Sequence, residues 1–319
     1  MTESAIEATG LRKSYDSTTV LHGIELTVAT GTVFCLLGPN GAGKTTTVRI
    51  LTTLTALDGG SARVAGADVI ADRGRVRERI SLTGQYAALD ELQSGFENLQ
   101  MMGRLRGLSA REAHARALEL LAQFELEHAA RRRTATYSGG MRRRLDLAAS
   151  LVRAPQVLFL DEPTTGLDPR SRRDMWSLVG DLTSSGVTVF LTTQYLEEAD
   201  RLADRVAVMD RGTIVAEGTP AQLKATVTGE RLDLTAVDRD AYNMLEARLG
   251  SRAIHRDASA LTLGAACQDR AEPIRALLGE LDPAGGLVDR FSIHTASLDD
   301  VFMALTGRGA DPESEPSHD

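Results

Sequence analysis

The run Gly38-Pro39-Asn40-Gly41-Ala42-Gly43-Lys44-Thr45 has the residue types and the spacing to hold a nucleoside triphosphate. It fits G-x-x-x-x-G-K-[ST], a glycine-rich turn whose backbone N–H groups converge on a phosphate chain. Lys44 would reach the β- and γ-phosphates, and the Thr45 hydroxyl would ligate Mg²⁺. The flanks fit as well. Val33 to Leu37 reads as a short buried strand, and Thr46 to Leu57 carries Val48, Ile50, Leu51 and Leu54 at roughly helical spacing. The positive end of that helix would add to the field on a phosphate. A glycine turn capping an ordinary helix is the plainer alternative; the lysine, the hydroxyl and both flanks weigh against it.

A second set of reactive side chains lies far along the chain. Val157-Leu158-Phe159-Leu160 is an apolar strand run that delivers Asp161 and Glu162 at its C-terminal end, as α/β active sites do. Asp161 could hold Mg²⁺ through water, and Glu162 could polarise an attacking water. Alternatively, the two are solvated acids at a strand end. Ser138-Gly139-Gly140 precedes a helix from Met141 to Val152, with Ser138 placed to satisfy N–H groups at the helix start. Arg131 to Arg133 and Arg142 to Arg144 flank that turn. Such runs are solvated faces or, beside a glycine turn, aids to polyphosphate binding. Tyr15 falls at the turn between two early strands, where it could stack on a nucleobase or anchor a hairpin.

The elements that must position these groups follow an α/β order. Strands are predicted at Ile6 to Tyr15, Leu21 to Val28, Ser61 to Val69 as a pair around Gly66, and Ile80 to Thr83. Arg75 to Arg79 is simply charged. Leu89 to Leu126 is helical, an insertion between parts of the α/β core. After Asp161, a helix spans Arg170 to Leu182, a strand Val187 to Leu191 delivers Thr192-Thr193-Gln194, and a helix covers Leu196 to Leu202. A hairpin turned at Asp210-Arg211-Gly212 closes the core. From Arg231 the pattern reads β-α-β-β-α-β, a ferredoxin-like order. A last helix, Leu298 to Leu305, precedes a stretch of disordered-tail composition.

With 319 residues, 42% hydrophobic and 25% charged, the chain suits one large and one smaller domain. A formal net charge of −8 gives no electrostatic footprint for bulk nucleic-acid binding. Cys35 and Cys267 cannot make a disulfide framework or a metal site, which suits a reducing compartment. The first residues lack the basic and apolar regions of a signal peptide. No stretch approaches the ~20 apolar residues that span a bilayer.

Taken together, residues 5–220 resemble the ATP-binding subunit of ABC transporters. Five motifs carry the resemblance in order: Gly38–Thr45, Gln85, Tyr137-Ser138-Gly139-Gly140-Met141, Val157–Asp161 with Glu162, and Gly166-Leu167-Asp168. Tyr137 to Ala148, Thr192 to Asp200 and Ser297 to Phe302 are similar to the daunorubicin/doxorubicin-resistance type of exporter ATPase. The resemblance implies a P-loop NTPase cassette with a RecA-like core, an antiparallel β subdomain and a helical subdomain at about 86–150. That cassette would span 5–228, followed by a small α+β ferredoxin-like module at 229–307 and a disordered tail at 308–319.

It further implies an ATPase in which Lys44, Glu162 and Gln194 are catalytic. ATP would lie on Tyr15, Gly38, Pro39, Asn40, Gly41, Ala42, Gly43, Lys44, Thr45 and Thr46. Mg²⁺ would be held by Thr45, Gln85 and Asp161. Two copies would sandwich ATP head to tail, so that Ser138, Gly139, Gly140 and Asp168 of one copy complete the site of the other. The expected partners are a second copy of this chain and an integral membrane permease, docked by Leu89 to Met102, at the cytoplasmic face of the membrane; no nucleic acid is expected. The function implied is efflux of a hydrophobic, antibiotic-like compound. Two positions depart from the family pattern: Met141 replaces a usual glutamine and Gln194 a usual histidine. Glutamine can hydrogen-bond a γ-phosphate but cannot carry a proton. Two other readings stand beside export: a soluble ABC ATPase acting on nucleic acid or the ribosome, and a nucleotide-binding regulatory subunit with weak hydrolysis.

Overall fold

The run Val33–Leu37 is buried at every position and is hydrogen-bonded on both sides, to Thr188–Thr193 and to Arg205–Asp210. A strand covered on both faces needs no polar alternation, which is why this one reads as a continuous apolar run. It lies at the heart of a computed structural model that describes residues 4–84, 89–227, 231–267, 270–294 and 297–307. By contacts, the chain divides into two units, Met1–Pro220 and Ala221–Asp319.

In the first unit, β1 (Ser4–Tyr15) and β2 (Thr18–Ala29) are joined at Asp16, whose φ of 51° is a left-handed turn conformation. β3 (Val33–Leu37) leads through the glycine turn into α1 (Lys44–Leu51). β4 (Gly59–Val64) and β5 (Ala67–Asp68) return beside β1, and the antiparallel sheet runs β2-β1-β4-β5. α2 (Arg73–Arg79) and β6 (Ile80–Thr83) follow. A helical arm comes next: α3 (Gly95–Leu105), α4 (Ala110–Gln123) and α5 (Gly139–Ser150). The chain then re-enters the core with β7 (Val157–Asp161), α6 (Pro169–Ser184), β8 (Thr188–Thr193), α7 (Leu196–Leu202), β9 (Arg205–Asp210) and β10 (Thr213–Gly218). The second sheet runs β10-β9-β3-β8-β7-β6 and is parallel except for the β9–β10 hairpin.

Register decides where the chemistry sits. Leu37 is opposite Thr193, and Asp161 is opposite Thr192. The C-terminal ends of β3, β8 and β7 therefore arrive at one edge of the sheet, the edge at which open α/β sheets bind ligands. Packing behind that edge is aromatic: the Phe34 and Phe159 rings each lie 5.5 Å from the ring of Phe190. The helical arm is fixed by its own devices. Ser94 with Glu97, and Ser109 with Glu112, form reciprocal caps at the starts of α3 and α4. Gly103 lets α3 approach α4, since a Cβ there would lie 2.8 Å from the Ala113 Cβ.

Two sequence expectations change. The helix expected from Thr46 to Leu57 starts at Lys44 and stops at Leu51. There the Thr52 hydroxyl turns back to the Val48 carbonyl at 2.8 Å, and Thr53 takes φ 65°. Leu54 is consequently exposed instead of lying on the buried face. The charged segment before Ile80 is the helix α2, whose buried residue is Val76.

In the second unit, α8 (Pro220–Lys224) precedes β11 (Arg231–Ala236), α9 (Arg239–Leu249), β12 (Ala253–Asp257), β13 (Thr262–Ala266), α10 (Ala271–Leu281) and β14 (Val288–His294). The order is the β-α-β-β-α-β predicted, and the antiparallel sheet runs β12-β13-β11-β14. Leu232, Leu234, Leu245 and Leu263 form its dry centre. α11 (Leu298–Thr306) starts with a Ser297–Asp300 capping box. Residues 308–319 lie outside those described.

Phe190 touches both neighbouring strands of the main sheet through its ring. Phe190→Ala is expected to lower the unfolding free energy by about 3–5 kcal/mol, measured by denaturant titration. A loss below about 1 kcal/mol would mean that the aromatic stack is not what holds β3, β8 and β7 in register.

Candidate functional site

The glycine turn is held against the sheet by its own backbone. The Gly38 N–H donates to the Thr193 carbonyl at 3.2 Å, and the Gly212 N–H donates to the Ala42 carbonyl at 2.9 Å. Two glycines are required by space. A Cβ on Gly38 would meet the Met209 carbonyl oxygen at 2.3 Å, and one on Gly43 would meet Leu21 and Met209 side chains at 2.8 Å. Gly43, at φ 109°, also caps α1 in a left-handed conformation that favours glycine. Asn40 and Gly41 face outward, Pro39 and Thr46 are half-buried, and Ala42 is buried.

Lys44 is 4% exposed. Its Nζ donates to the carbonyls of Gly38 at 2.8 Å and Pro39 at 3.1 Å, and lies 3.2 Å from Glu162 Oε1. A buried ammonium is thus satisfied by two carbonyls and a carboxylate. The Thr45 hydroxyl donates to Asp161 Oδ1 at 3.3 Å, and the Thr192 hydroxyl donates to the same oxygen at 2.5 Å. A hydroxyl beside a buried carboxylate suits Mg²⁺, which takes a few protein oxygens and fills its remaining positions with phosphate and water. Glu162 sits at φ 50°, unusual for a residue with a side chain. Its N–H donates to both the carbonyl and the hydroxyl of Thr192, each at 3.1 Å.

The structure brings a second group together on the helical arm. Ser138 caps α5, its hydroxyl accepting from the Met141 N–H at 3.2 Å, and Ser138 and Gly139 are exposed. Gly140 lies against α6, where a Cβ would be 2.5 Å from Ser171 Oγ. Ser171 in turn donates to Asp168, which caps α6 by accepting from the N–H groups of Arg170 and Ser171. Burial is slight for Asp168, and three donors hold its carboxyl below the usual range, the Ser171 hydroxyl first. Gln194 follows β8 directly and is half-buried. Tyr15 ends β1 and is 44% exposed, with Lys13 Nζ 5.4 Å from its ring centre. Gln85 lies outside the described residues.

Three polar groups around the site stand out only in three dimensions. Thr192 bonds Asp161 because β8 lies beside β7, a neighbour relation no local pattern encodes. Arg143, expected with Arg142 and Arg144 on a solvated or phosphate-facing run, is instead buried. It shares a face of α5 with Asp146 and Leu147, both buried, but a charged Asp146 gives that face no apolar mark in the sequence. Glu198 is fully buried on α7, and its Oε1 accepts from Trp176 Nε1 at 3.2 Å. Burial pushes this carboxyl up; the nearby Thr193 and Thr164 hydroxyls and the Trp176 N–H pull it back only in part.

A parallel sheet that carries a glycine turn and paired carboxylates to one edge, with a second glycine turn on a separate helical arm, is the layout of an ATP-binding-cassette ATPase. Comparison with known proteins agrees. A family model described as "ABC transporter" matches residues 21–165. The daunorubicin/doxorubicin resistance ATP-binding protein DrrA of Streptomyces peucetius is 52% identical over 97% of this chain and 94% of its own length. The Nod factor export ATP-binding protein I of Ralstonia nicotianae is 40% identical over 94% of this chain and 92% of its own. A solved structure of the ATP-binding subunit of an ABC transporter matches with a TM-score of 0.63 at 26% identity, covering 70% of this chain and 92% of that one. This chain belongs to the ABC transporter ATP-binding proteins of the daunorubicin/doxorubicin-resistance type, and it is an ATPase.

Glu198 gives a pH test of the packing behind the site. A carboxyl whose folded pKa is raised keeps a proton that the unfolded chain has released, so it contributes a stability that falls as pH rises above the ordinary glutamate range. Glu198→Gln removes that contribution. The stability of the variant minus that of the parent is expected to rise with pH from 4.5, the ordinary value, toward neutrality in denaturant titrations. A difference that is flat with pH would show that Glu198 titrates normally.

Proposed function

We propose that this chain is the ATP-hydrolysing subunit of an exporter that moves a hydrophobic, drug-like compound through a separate membrane permease. The observation that carries this reading is the contact of Lys44 Nζ with Glu162 Oε1 at 3.2 Å. It places a carboxylate at the lysine that the loop offers to the β- and γ-phosphates. With ATP bound, Lys44 turns from Glu162 and the loop carbonyls to the phosphate oxygens, and the freed Glu162 accepts a proton from the attacking water. Gln194, at the end of β8, hydrogen-bonds the γ-phosphate and supports the reaction without carrying a proton. Thr45 and Asp161, together with Gln85, would hold Mg²⁺, which neutralises charge on the phosphates when bound. The turn 38–46 binds the phosphates and Tyr15 stacks on the base.

The exposed turn Ser138-Gly139-Gly140 and the neighbouring Asp168 are read as the half-site offered to a second copy. The close Gly140–Ser171 approach supports this, because it ties the two outward segments into one surface. Docking of the permease is assigned to the helical arm. There a shallow groove is lined by Gln93, Glu97, Gln100, Met101, Arg104 and Ala110, and Leu92 and Leu105 are exposed nearby. Among the described residues no helix is long and apolar enough to cross a membrane. A location at the cytoplasmic face follows from the proposed partnership with a permease. The cassette is taken as 5–228 and the accessory module as 229–307. Export of a drug-like compound is favoured over action on nucleic acid by the names of the relatives, which specify drug resistance and Nod factor export.

Glu162→Gln is expected to bind ATP and to abolish most steady-state turnover, leaving an ATP-trapped dimer on size exclusion. Unchanged phosphate release would remove Glu162 from its role. Lys44→Ala is expected to raise the Kd for ATP roughly tenfold or more, since a charge-assisted contact is worth ~1.5–3 kcal/mol. Equal affinity in a titration would contradict the phosphate contact.

A further inference from the structure

Arg143 makes more contacts across the site than any local role on α5 requires. Its Nε donates to the Pro163 carbonyl at 2.8 Å, one terminal nitrogen to the Gly84 carbonyl at 2.7 Å, and the other to the Glu162 carbonyl at 3.4 Å. The same guanidinium lies 3.5 Å from Asp146 on its own helix. It is 8% exposed. Arg142 and Arg144, its neighbours in sequence, instead pair with surface carboxylates, Glu91 and Glu125, at 3.5 Å each. One arginine of three has therefore been turned inward at a desolvation cost, and the groups that compensate it are Asp146 on its own helix and backbone carbonyls at two separate loops.

The destination of those bonds is specific. Glu162 holds a left-handed backbone at φ 50°, which a residue with a side chain adopts only when its surroundings enforce it. Thr192 holds the N–H side of that residue, and Arg143 holds its carbonyl and that of Pro163. Gly84, the third acceptor, immediately precedes Gln85 in the chain. The planar fork of an arginine can reach three carbonyls at fixed angles, whereas a lysine offers a single point charge.

We propose that Arg143 is a positioning residue for hydrolysis, clamping the backbone of Glu162 and Pro163 to α5, the helix that starts at Ser138. The clamp fixes the direction of the Glu162 side chain and couples it to the helix whose first residues form the outward glycine turn. This rests on the reading of Glu162 as the carboxylate that polarises water. It adds that α5 of the same chain sets the aim of that carboxylate.

The test is a double-mutant cycle on the full chain, with steady-state and single-turnover hydrolysis of Mg-ATP, ATP titration and thermal melting. Arg143→Lys keeps charge and stem and is the primary variant; Arg143→Ala and Arg143→Gln bracket it. The expected result for Arg143→Lys is a kcat loss on the order of tenfold or more, as a misaimed reacting group gives. KM and ATP affinity should stay within about twofold, the signature of an interaction felt in the transition state only. In the Glu162→Gln background the same substitution should cost no further rate, because the carboxylate it aims is gone. Three results would overturn the proposal: an equal loss from Arg143→Lys in both backgrounds, a loss that falls on KM instead of kcat, or wild-type kcat in a folded Arg143→Lys. Full activity of Glu162→Gln alone would instead defeat the role of Glu162, and with it the clamp, and is read separately from the cycle. If Arg143→Ala or Arg143→Gln fails to fold, the decision rests on Arg143→Lys.

Discussion

The alignment of three parallel strand ends is the constraint on which the rest of the site depends. β3, β8 and β7 contribute, in that spatial order, the glycine turn, Thr192 to Gln194, and Asp161 with Glu162. Each strand is buried along its whole length, so a slip of register would carry polar strand ends into the core. The hydrophobic packing that fixes the fold therefore also fixes the separation of Lys44, Asp161 and Glu162. The glycine turn then carries Lys44, and the backbone after β7 carries Glu162, onward from strand ends that the sheet has already aligned.

The same burial creates an electrostatic problem that the site solves with internal partners. Lys44, Asp161, Arg143 and Glu198 are all nearly removed from water. Lys44 is satisfied by carbonyls of its own loop and by Glu162. Asp161 accepts from two hydroxyls. Arg143 is surrounded by three carbonyls and sits near Asp146, so that although burial pulls its pKa down it remains charged. On the proposed reading, only the contacts of Lys44 and Thr45 are ones that a triphosphate and its cation would replace, whereas those of Arg143 stay. The loop-bound lysine would then exchange carbonyls for phosphate oxygens, and the Thr45 hydroxyl would exchange a carboxylate for a cation.

Much of this was legible in the sequence, for identifiable reasons. The glycine turn, the Asp161–Glu162 strand end and the Ser138 cap are local: each is specified by a few adjacent residues and the element they begin or end. The ferredoxin-like order was readable too, since alternating strands and amphipathic helices announce themselves by period. What could not be read was non-local. The donation of Thr192 to Asp161 requires knowing that β8 lies beside β7. The inward turn of Arg143 needs the position of two loops that are 59 and 20 residues away from it in the chain. Even the early end of α1 is set partly from outside, because Arg77 donates to both the hydroxyl and the carbonyl of Thr53. Composition gave no warning in any of these cases.

The proposed half-site follows from where the two glycine turns point. The first is folded onto the sheet and encloses its lysine; the second, at Ser138, is exposed, and its helix carries Arg143 inward. The start of α5 is thus exposed while Arg143, little more than a turn further on, holds the backbone of Glu162. That arrangement bears on the two departures from the family pattern. Met141 puts a thioether where the family pattern has an amide, and Gln194 puts an amide where it has a titratable imidazole. Neither substitution touches the inward contacts of Arg143 or the Lys44–Glu162 pair. On the proposed reading, chemistry that depends on Glu162 keeps its groups in this chain, whereas recognition at the outward turn would rely on Ser138 and on backbone N–H groups, the component that any residue at position 141 supplies.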